Sequence, residues 1–209
     1  MSALSPLVVT HPLAQIHLTE MRRKETPAER FRWHLHRLAE ILFTVASRSL
    51  ETQTLTVQTP LASTGGHGFL RPIILVPILR AGLGLAEAIH PLVPQATVAH
   101  IGIARDEDTA QPRPYYTKLP SHLDQSEIFV LDPMLATGGS ACLALQLLKM
   151  AGAERLTFIS VVSCPQGLEV LNAEHPDVAV VTAAIDDGLD DRYYIIPGLG
   201  DAGDRCFHT

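Results

Sequence analysis

The sequence predicts an α/β fold, a parallel sheet flanked by helices. Three observations predict it. Short apolar runs alternate along the chain with segments of helical period. Two of those runs end abruptly in glycine-containing loops, Leu79-Arg80-Ala81-Gly82 and Leu131-Asp132 through Ser140. Each loop then opens an apolar-periodic segment, as strand-to-helix connections do at the ligand-binding edge of open sheets.

The elements follow in order. Residues 1–25, with Pro6 and Pro12, read as irregular. Thr26-Pro27-Ala28-Glu29 is a capping-box pattern with proline at the first helical position. Phe31, Leu35, Leu38 and Leu42 follow at helical spacing, so 27–46 is an amphipathic helix. Thr54 to Thr59 alternates weakly, as an edge strand would, and Ser63 to Gly68 reads as a loop. Pro72 to Leu79 is a buried strand, Leu83 to His90 a helix and Thr97 to Ala104 the next strand. Arg105 to Gln125 is polar, carries Pro112, Pro114 and Pro120, and has no periodicity. A connector of that length reads as a lid or binding loop. Then come a strand at 128–131, a helix at 141–151 stopped by Gly152, and a strand at Leu156 to Ser163. A short helix at Gly167 to Glu174 and a strand at Val178 to Ile185 complete the alternation.

Composition narrows the function classes. A chain of 209 residues is long enough to bury a core as one domain, 1–209. Apolar residues at 46% against 18% charged exclude a disordered chain. The net charge of −6 argues against a nucleic-acid partner, which needs a basic field. Cys142, Cys164 and Cys206 are scattered and suggest neither disulfides nor a Cys-x-x-Cys metal pair. No basic leader with an apolar core is evident, and no apolar run approaches the ~20 residues that span a bilayer. The chain therefore reads as cytoplasmic, with no membrane partner.

Val130-Leu131-Asp132-Pro133-Met134-Leu135-Ala136-Thr137-Gly138-Gly139-Ser140 carries the most chemistry. Amides at a helix N-terminus lack intrahelical partners, and the helix dipole favours an anion there. Glycines let several such amides converge. Asp132 stands a few residues away, where a ligand's hydroxyls or a metal would lie. The Walker lysine is missing, so ATP hydrolysis is not indicated. A tight turn with Ser140 as a plain N-cap is the structural alternative. Arg80-Ala81-Gly82-Leu83-Gly84 makes a second loop of this kind, since an arginine can grip phosphate bidentately. Arg105 adds a third cationic group at a strand end and Lys118 a fourth. Together they describe a pocket for a polyphosphate.

Gly198-Leu199-Gly200-Asp201-Ala202-Gly203 spells the dinucleotide fingerprint, but no strand-helix-strand unit can follow from it in six residues. These glycines read instead as a close backbone approach to a flat ligand or another loop. The ten histidines show no metal-ligand spacing, and His34 and His36 fall on different helix faces.

On these residues the chain resembles the phosphoribosyltransferases, and their uracil-specific members most. Asp132 to Ser140 resembles the phosphoribosyl-diphosphate loop, with Pro133 in place of a second acid as in the uracil-specific proteins. Val76 to Gly84 and Tyr194 to Asp204 resemble two further signatures, and Pro114 to Pro120 the flexible loop. His11-Pro12-Leu13, Met21-Arg22 and Arg30-Phe31-Arg32 fit the N-terminal pattern. Val45 and Ser49 stand where acidic residues are usual, Gln166 where Glu is usual and Tyr193 where Gly is usual.

The resemblance implies a phosphoribosyltransferase-type sheet with a hood from the N- and C-terminal segments. It implies transfer of the phosphoribosyl group from phosphoribosyl diphosphate to N1 of uracil, with Mg²⁺ carried on the diphosphate. Asp132, Arg80 and Arg105 are then the catalytic residues. Arg80, Arg105, Asp132, Pro133, Met134, Leu135, Ala136, Thr137, Gly138, Gly139, Ser140 and Asp201 bind phosphoribosyl diphosphate. Ile195, Gly200, Asp201 and Ala202 bind uracil. It further implies a homodimer or homotetramer and GTP as an effector. The rival readings are a pyrimidine-sensing RNA regulator on the same fold and a transferase for another base.

Overall fold

The computed structural model describes residues 4–105 and 112–209, with Arg105 described by its backbone alone. The chain opens with β1 (Leu7–Val8), α1 (Pro12–Arg22) and α2 (Ala28–Ala46). A hairpin of β2 (Thr52–Gln58) and β3 (Ser63–Phe69) precedes β4 (Ile73–Leu79) and α3 (Leu83–Ile89). Next come β5 (Thr97–Val98), β6 (His100–Arg105), β7 (Pro112–Lys118), β8 (Glu127–Leu131) and β9 (Met134–Leu135). Then follow α4 (Gly139–Met150), β10 (Arg155–Ser163), α5 (Pro165–Glu174) and β11 (Ala179–Ile185). A small hairpin, β12 (Gly188–Leu189) with β13 (Ile195–Ile196), leads into α6 (Ala202–Phe207).

The main sheet runs β1-β11-β10-β8-β4-β6-β7, parallel throughout except for the antiparallel edge strand β7. The predicted α/β class is therefore the observed one. The sheet is buried on both faces. On one side Leu75, Phe129, Ile159 and Val181 pack against Leu18, Phe31, Leu35, Leu38, Leu42 and Leu85 of α1, α2 and α3. On the other, Ile74, Val76, Ile128, Val130 and Phe158 pack against Leu145, Leu148, Leu168 and Leu171 of α4 and α5. Alternate strand residues supply the two layers, which is why these strands read as continuous apolar runs. Each fully buried leucine or phenylalanine of α2 contributes about 1.5–3 kcal/mol of burial, so α2 anchors that face.

Four expectations need correction. Residues 12–22 are not irregular. Pro12 sits at the first helical position of α1, and Ala14, Leu18 and Met21 form its buried face. The capping box is not made: Pro27 is the N-cap of α2, and the Thr26 hydroxyl donates to Glu20 O at 2.6 Å instead. Ser63 to Gly68 is not a loop but most of β3, paired residue by residue with β2 from Thr52↔Phe69 to Gln58↔Ser63. The stretch after Arg105 is not structureless either. β7 pairs back on β6, and Leu123–Gln125 forms a 3-10 turn. Pro112 and Pro114 are tolerated because β7 is the edge of the sheet.

The topology fixes where a ligand can bind. From β4 the chain goes to β6 on one side, then returns to β8 on the other. The carboxyl ends of β4 and β8 therefore diverge at a switch point, the binding crevice of open parallel sheets.

Candidate active site

Arg80 follows β4 and Asp132 follows β8, so the sheet itself brings the two loops together. Gly82 makes the approach of those loops feasible: a Cβ there would run into Leu131 O and the backbone of Ile78. Beyond β9, Gly138 has φ of 85° and N-caps α4, a conformation that favours glycine. The structure thus rejects Ser140 as the cap. Cys142 N donates to Gly138 O at 2.9 Å, so the amides before it belong to the first turn, which has no intrahelical acceptor for them. Pro133 O accepts from Val161 N and Val162 N, and Leu135 O accepts from Cys164 N at 3.1 Å. These bonds pin the loop to β10 from behind.

A cavity of about 380 Å³ opens on this loop, within the ordinary range for small-molecule sites. Asp132, Met134, Leu135, Ala136, Thr137, Gly138 and Ser140 line one side. Ile195, Gly200, Asp201 and Ala202 line the other, with Tyr193, Tyr194 and Gly203 beside them. The structure brings together most of the residues the sequence singled out. Pro133 is buried beneath the loop and Gly139 begins α4, so neither forms the cavity wall. Arg80 stands outside, where its guanidinium meets Asp204 at 3.5 Å. That pair is half exposed and contributes little to stability, so the arginine can turn to an anion at low cost. Arg105 ends β6, and its side chain lies outside the described atoms.

Asp132 is electrostatically distinct. Its carboxylate accepts from Met134 N at 3.3 Å and has no cationic partner among the described residues. Burial, with the charge of Asp201 adding to it and the Met134 amide opposing it, pushes Asp132 up to about 7. A carboxyl with that setting is poised to change charge when a cationic or hydroxyl-bearing ligand arrives.

The loop opposite is held by residues that sequence reasoning did not single out as functional. Arg22 at the end of α1 grips Asp186 through two bonds, 2.6 and 2.7 Å, and donates to Gly198 O at 2.8 Å. Asp186 Oδ2 accepts from Gly198 N at 2.8 Å. Arg205 of α6 donates to Leu199 O and to Arg23 O, with its guanidinium 4.4 Å from the centre of the Phe31 ring. Asp186 follows β11 just as Asp132 follows β8, so both are acids at strand ends. Arg192 also lines the cavity. Gly198 to Gly203 opens no strand-helix-strand unit: the chain enters only the short helix α6, N-capped by the Asp201 side chain on Asp204 N at 2.9 Å. The dinucleotide reading is therefore excluded on geometry.

One end of the cavity thus offers amides and hydroxyls for a phosphate and a carboxylate for a sugar. The other offers a shaped backbone loop for a flat base.

A profile of the uracil phosphoribosyltransferase family matches residues 8–209. The chain is 47% identical over 204 residues to a uracil phosphoribosyltransferase of Dictyoglomus turgidum, covering 97% of this chain and 99% of the relative. It is 47% identical over 202 residues to that of Salinibacter ruber, covering 97% and 96%. Among solved structures, a protein from Aquifex aeolicus superposes with a TM-score of 0.93 at 32% identity, covering 98% of this chain and 99% of the other. A purine phosphoribosyltransferase from Pyrococcus horikoshii superposes at 0.50 with 14% identity over 76% of this chain and 91% of the other, a likeness of fold alone.

Proposed function

This chain belongs to the uracil phosphoribosyltransferase family, and from that premise we propose which residues carry each part of the reaction. The protein transfers the 5-phosphoribosyl group of phosphoribosyl diphosphate to uracil, giving UMP and diphosphate. The observation that carries the assignment of residues is a single cavity shared by the Asp132–Ser140 loop and the Ile195–Gly203 loop.

The 5′-phosphate rests on the amides of Ala136 to Ser140 and on the hydroxyls of Thr137 and Ser140. Asp132 accepts from the ribose hydroxyls and, once ionised, stabilises positive charge at C1′ in an oxocarbenium-like transition state. Arg80, released from Asp204, and Arg105 meet the leaving diphosphate as its charge grows, so their contacts favour the transition state over the ground state. Closure of the lid expected over Arg105 to Pro120, of which 106–111 lie outside the described residues, would exclude water as a rival nucleophile. Uracil lies against Ile195, Gly200 and Ala202, with Asp201 between base and phosphoribosyl ends. A backbone N–H aimed at O4 accepts uracil and leaves the amine of cytosine unmatched, a difference of about 1–3 kcal/mol.

Mg²⁺ fits this site as a passenger on the substrate. Among the described residues, the only trio of metal-binding side chains lies elsewhere, at Cys142, Glu174 and His175. Asp132 and Asp201 are the carboxylates at the cavity, too few for a protein-only magnesium cage. Bound there through phosphate oxygens and water, it would supply charge neutralisation of the diphosphate.

The reading extends to residues 1–209 as one catalytic domain and to assembly as a homodimer or homotetramer. The exposed Leu13, Ile16 and Trp33 on α1 and α2 support an oligomer surface. It extends also to GTP as an effector. Among the described residues no helix is long and apolar enough to cross a membrane.

Incubation with uracil, phosphoribosyl diphosphate and Mg²⁺, with and without GTP, tests the proposal. UMP is the expected product, and cytosine the expected failure. Equal use of both bases would refute the backbone readout, and no UMP under either condition would refute the enzyme.

A further inference from the structure

Away from the active cavity, α4 and α5 pack against each other and bring together three side chains of metal-binding type. Cys142 lies in the first turn of α4 and is buried. Glu174 is the last residue of α5 and is exposed. His175, the C-cap of α5, is 6% exposed. One ligand atom from each lies within 4.8 Å of the other two.

The histidine is the informative member. Its Nε2 stands 3.1 Å from Cys142 O. A carbonyl can only accept, so Nε2 carries the proton and donates. In the neutral ring Nδ1 is then a bare lone pair. That nitrogen is buried and has no hydrogen-bond partner. A buried acceptor left alone costs about 1–3 kcal/mol, and natural interiors rarely tolerate one without a reason. A ring with one nitrogen fixed by a backbone carbonyl and the other free is the arrangement metal-ligating histidines adopt.

We propose that Cys142, Glu174 and His175 form a binding site for a borderline-soft divalent transition metal of the Zn²⁺ class, distinct from the substrate-borne Mg²⁺. The donor set selects that class. A thiolate and an imidazole disfavour Mg²⁺ and Ca²⁺, while one sulfur, one nitrogen and one carboxylate oxygen suit Zn²⁺ or Co²⁺. Thiolate and carboxylate together balance the ion's charge, and water completes four-coordination. Bond lengths of about 2.0–2.3 Å require the ligand atoms to draw in by roughly 1 Å. The exposed Glu174 side chain can supply that movement and marks the entry path. Without metal, burial and then the Glu174 charge push the Cys142 thiol up to about 12, so it is protonated. As the metal–sulfur bond forms, that proton passes to solvent.

The site would tie the first turn of α4, which carries the phosphate loop, to the end of α5. Its existence does not depend on the base that the enzyme uses.

Co²⁺ titration of the chelator-treated full chain tests the site optically. The expected result is one equivalent bound, with a thiolate-to-cobalt charge-transfer band and tetrahedral d–d bands, all displaced by Zn²⁺ and not by excess Mg²⁺. Cys142→Ser removes the charge-transfer band. Glu174→Gln, at an exposed position that leaves the fold intact, weakens binding at least tenfold. Absence of the band in the wild-type chain overturns the proposal, as does its survival in Cys142→Ser. Should Cys142→Ser fail to fold, unchanged Co²⁺ affinity in Glu174→Gln overturns it equally.

Discussion

Replacing Asp132 with Asn separates what the carboxylate does for catalysis from what it costs the fold. The amide is isosteric and keeps an oxygen to accept from Met134 N. What it loses is the charge. The folded-state value, about 7, lies above the ordinary 3.8. The folded protein therefore holds a proton that the unfolded chain has released. Its stabilising effect is complete below about pH 4 and is lost as pH rises to about 7. A displacement of roughly 3 units corresponds to a ceiling of about 4 kcal/mol, of which about 2–3 kcal/mol develops between pH 5 and pH 8. Asn does not titrate, so Asp132→Asn escapes that loss. Urea unfolding of both proteins at pH 5 and pH 8 reads the difference directly. The variant should gain on the wild type by about 2 kcal/mol between the two pH values. Its turnover should fall about 10- to 100-fold, the worth of one charge-assisted contact made at the transition state. Parallel stability profiles would show that burial does not hold the carboxyl's proton. Unchanged turnover would remove Asp132 from the chemistry.

Other substitutions probe the supporting structure. Tyr193 sits at φ of 65°, a strained setting for an aromatic residue; Tyr193→Gly should raise unfolding free energy by about 1 kcal/mol, and a loss of stability would show that the ring's packing outweighs the strain. Asp186→Asn weakens the grip of Arg22 and should destabilise the fold by about 2–4 kcal/mol while raising KM for uracil more than KM for phosphoribosyl diphosphate; equal rises would contradict its role in shaping the base loop. The pair Thr137→Ala and Ser140→Ala should raise KM for phosphoribosyl diphosphate with uracil unaffected, as steady-state kinetics would read. Gly82→Ala forces a methyl into Leu131 O, so thermal unfolding should occur at a temperature several degrees lower, consistent with roughly 1–3 kcal/mol of overpacking.

The buried strands and the phosphate loop were legible because one physical demand, burial on both faces or anion binding at a helix start, dictates their residues. The β2–β3 hairpin was legible only in its first strand, expected over Thr54 to Thr59 and observed as Thr52–Gln58. Every residue of β2 is exposed, and Gly65, Gly66 and Gly68 of β3 offer no side chains to pattern. Backbone pairing alone makes it a hairpin. Helix α1 was hidden by Pro12, although Ala14, Leu18 and Met21 already showed the spacing of one face. β7 was hidden by prolines that only an edge strand accepts. At the site, local spacing identified both loops that line the cavity, yet it could not show that Arg22 reaches Asp186 and Gly198. Cys142 meeting His175 is invisible for the same reason: the two come together only when α4 packs on α5.

The bridge from Arg22 through Asp186 to Gly198 divides the labour of the chain unevenly. The stretch from β4 to α5 builds the phosphate loop and the sheet beneath it, whereas the base loop is completed by the first helix meeting the last forty residues. On the proposed assignment of residues, recognition of the sugar phosphate is internal to the middle of the sequence, and recognition of the base is assembled from its two ends. A nascent chain would have its phosphate loop in place while the base pocket still awaited the final turns. For the same reason, grafting new termini onto an unchanged middle is the shortest route by which such a scaffold could acquire a different nucleobase.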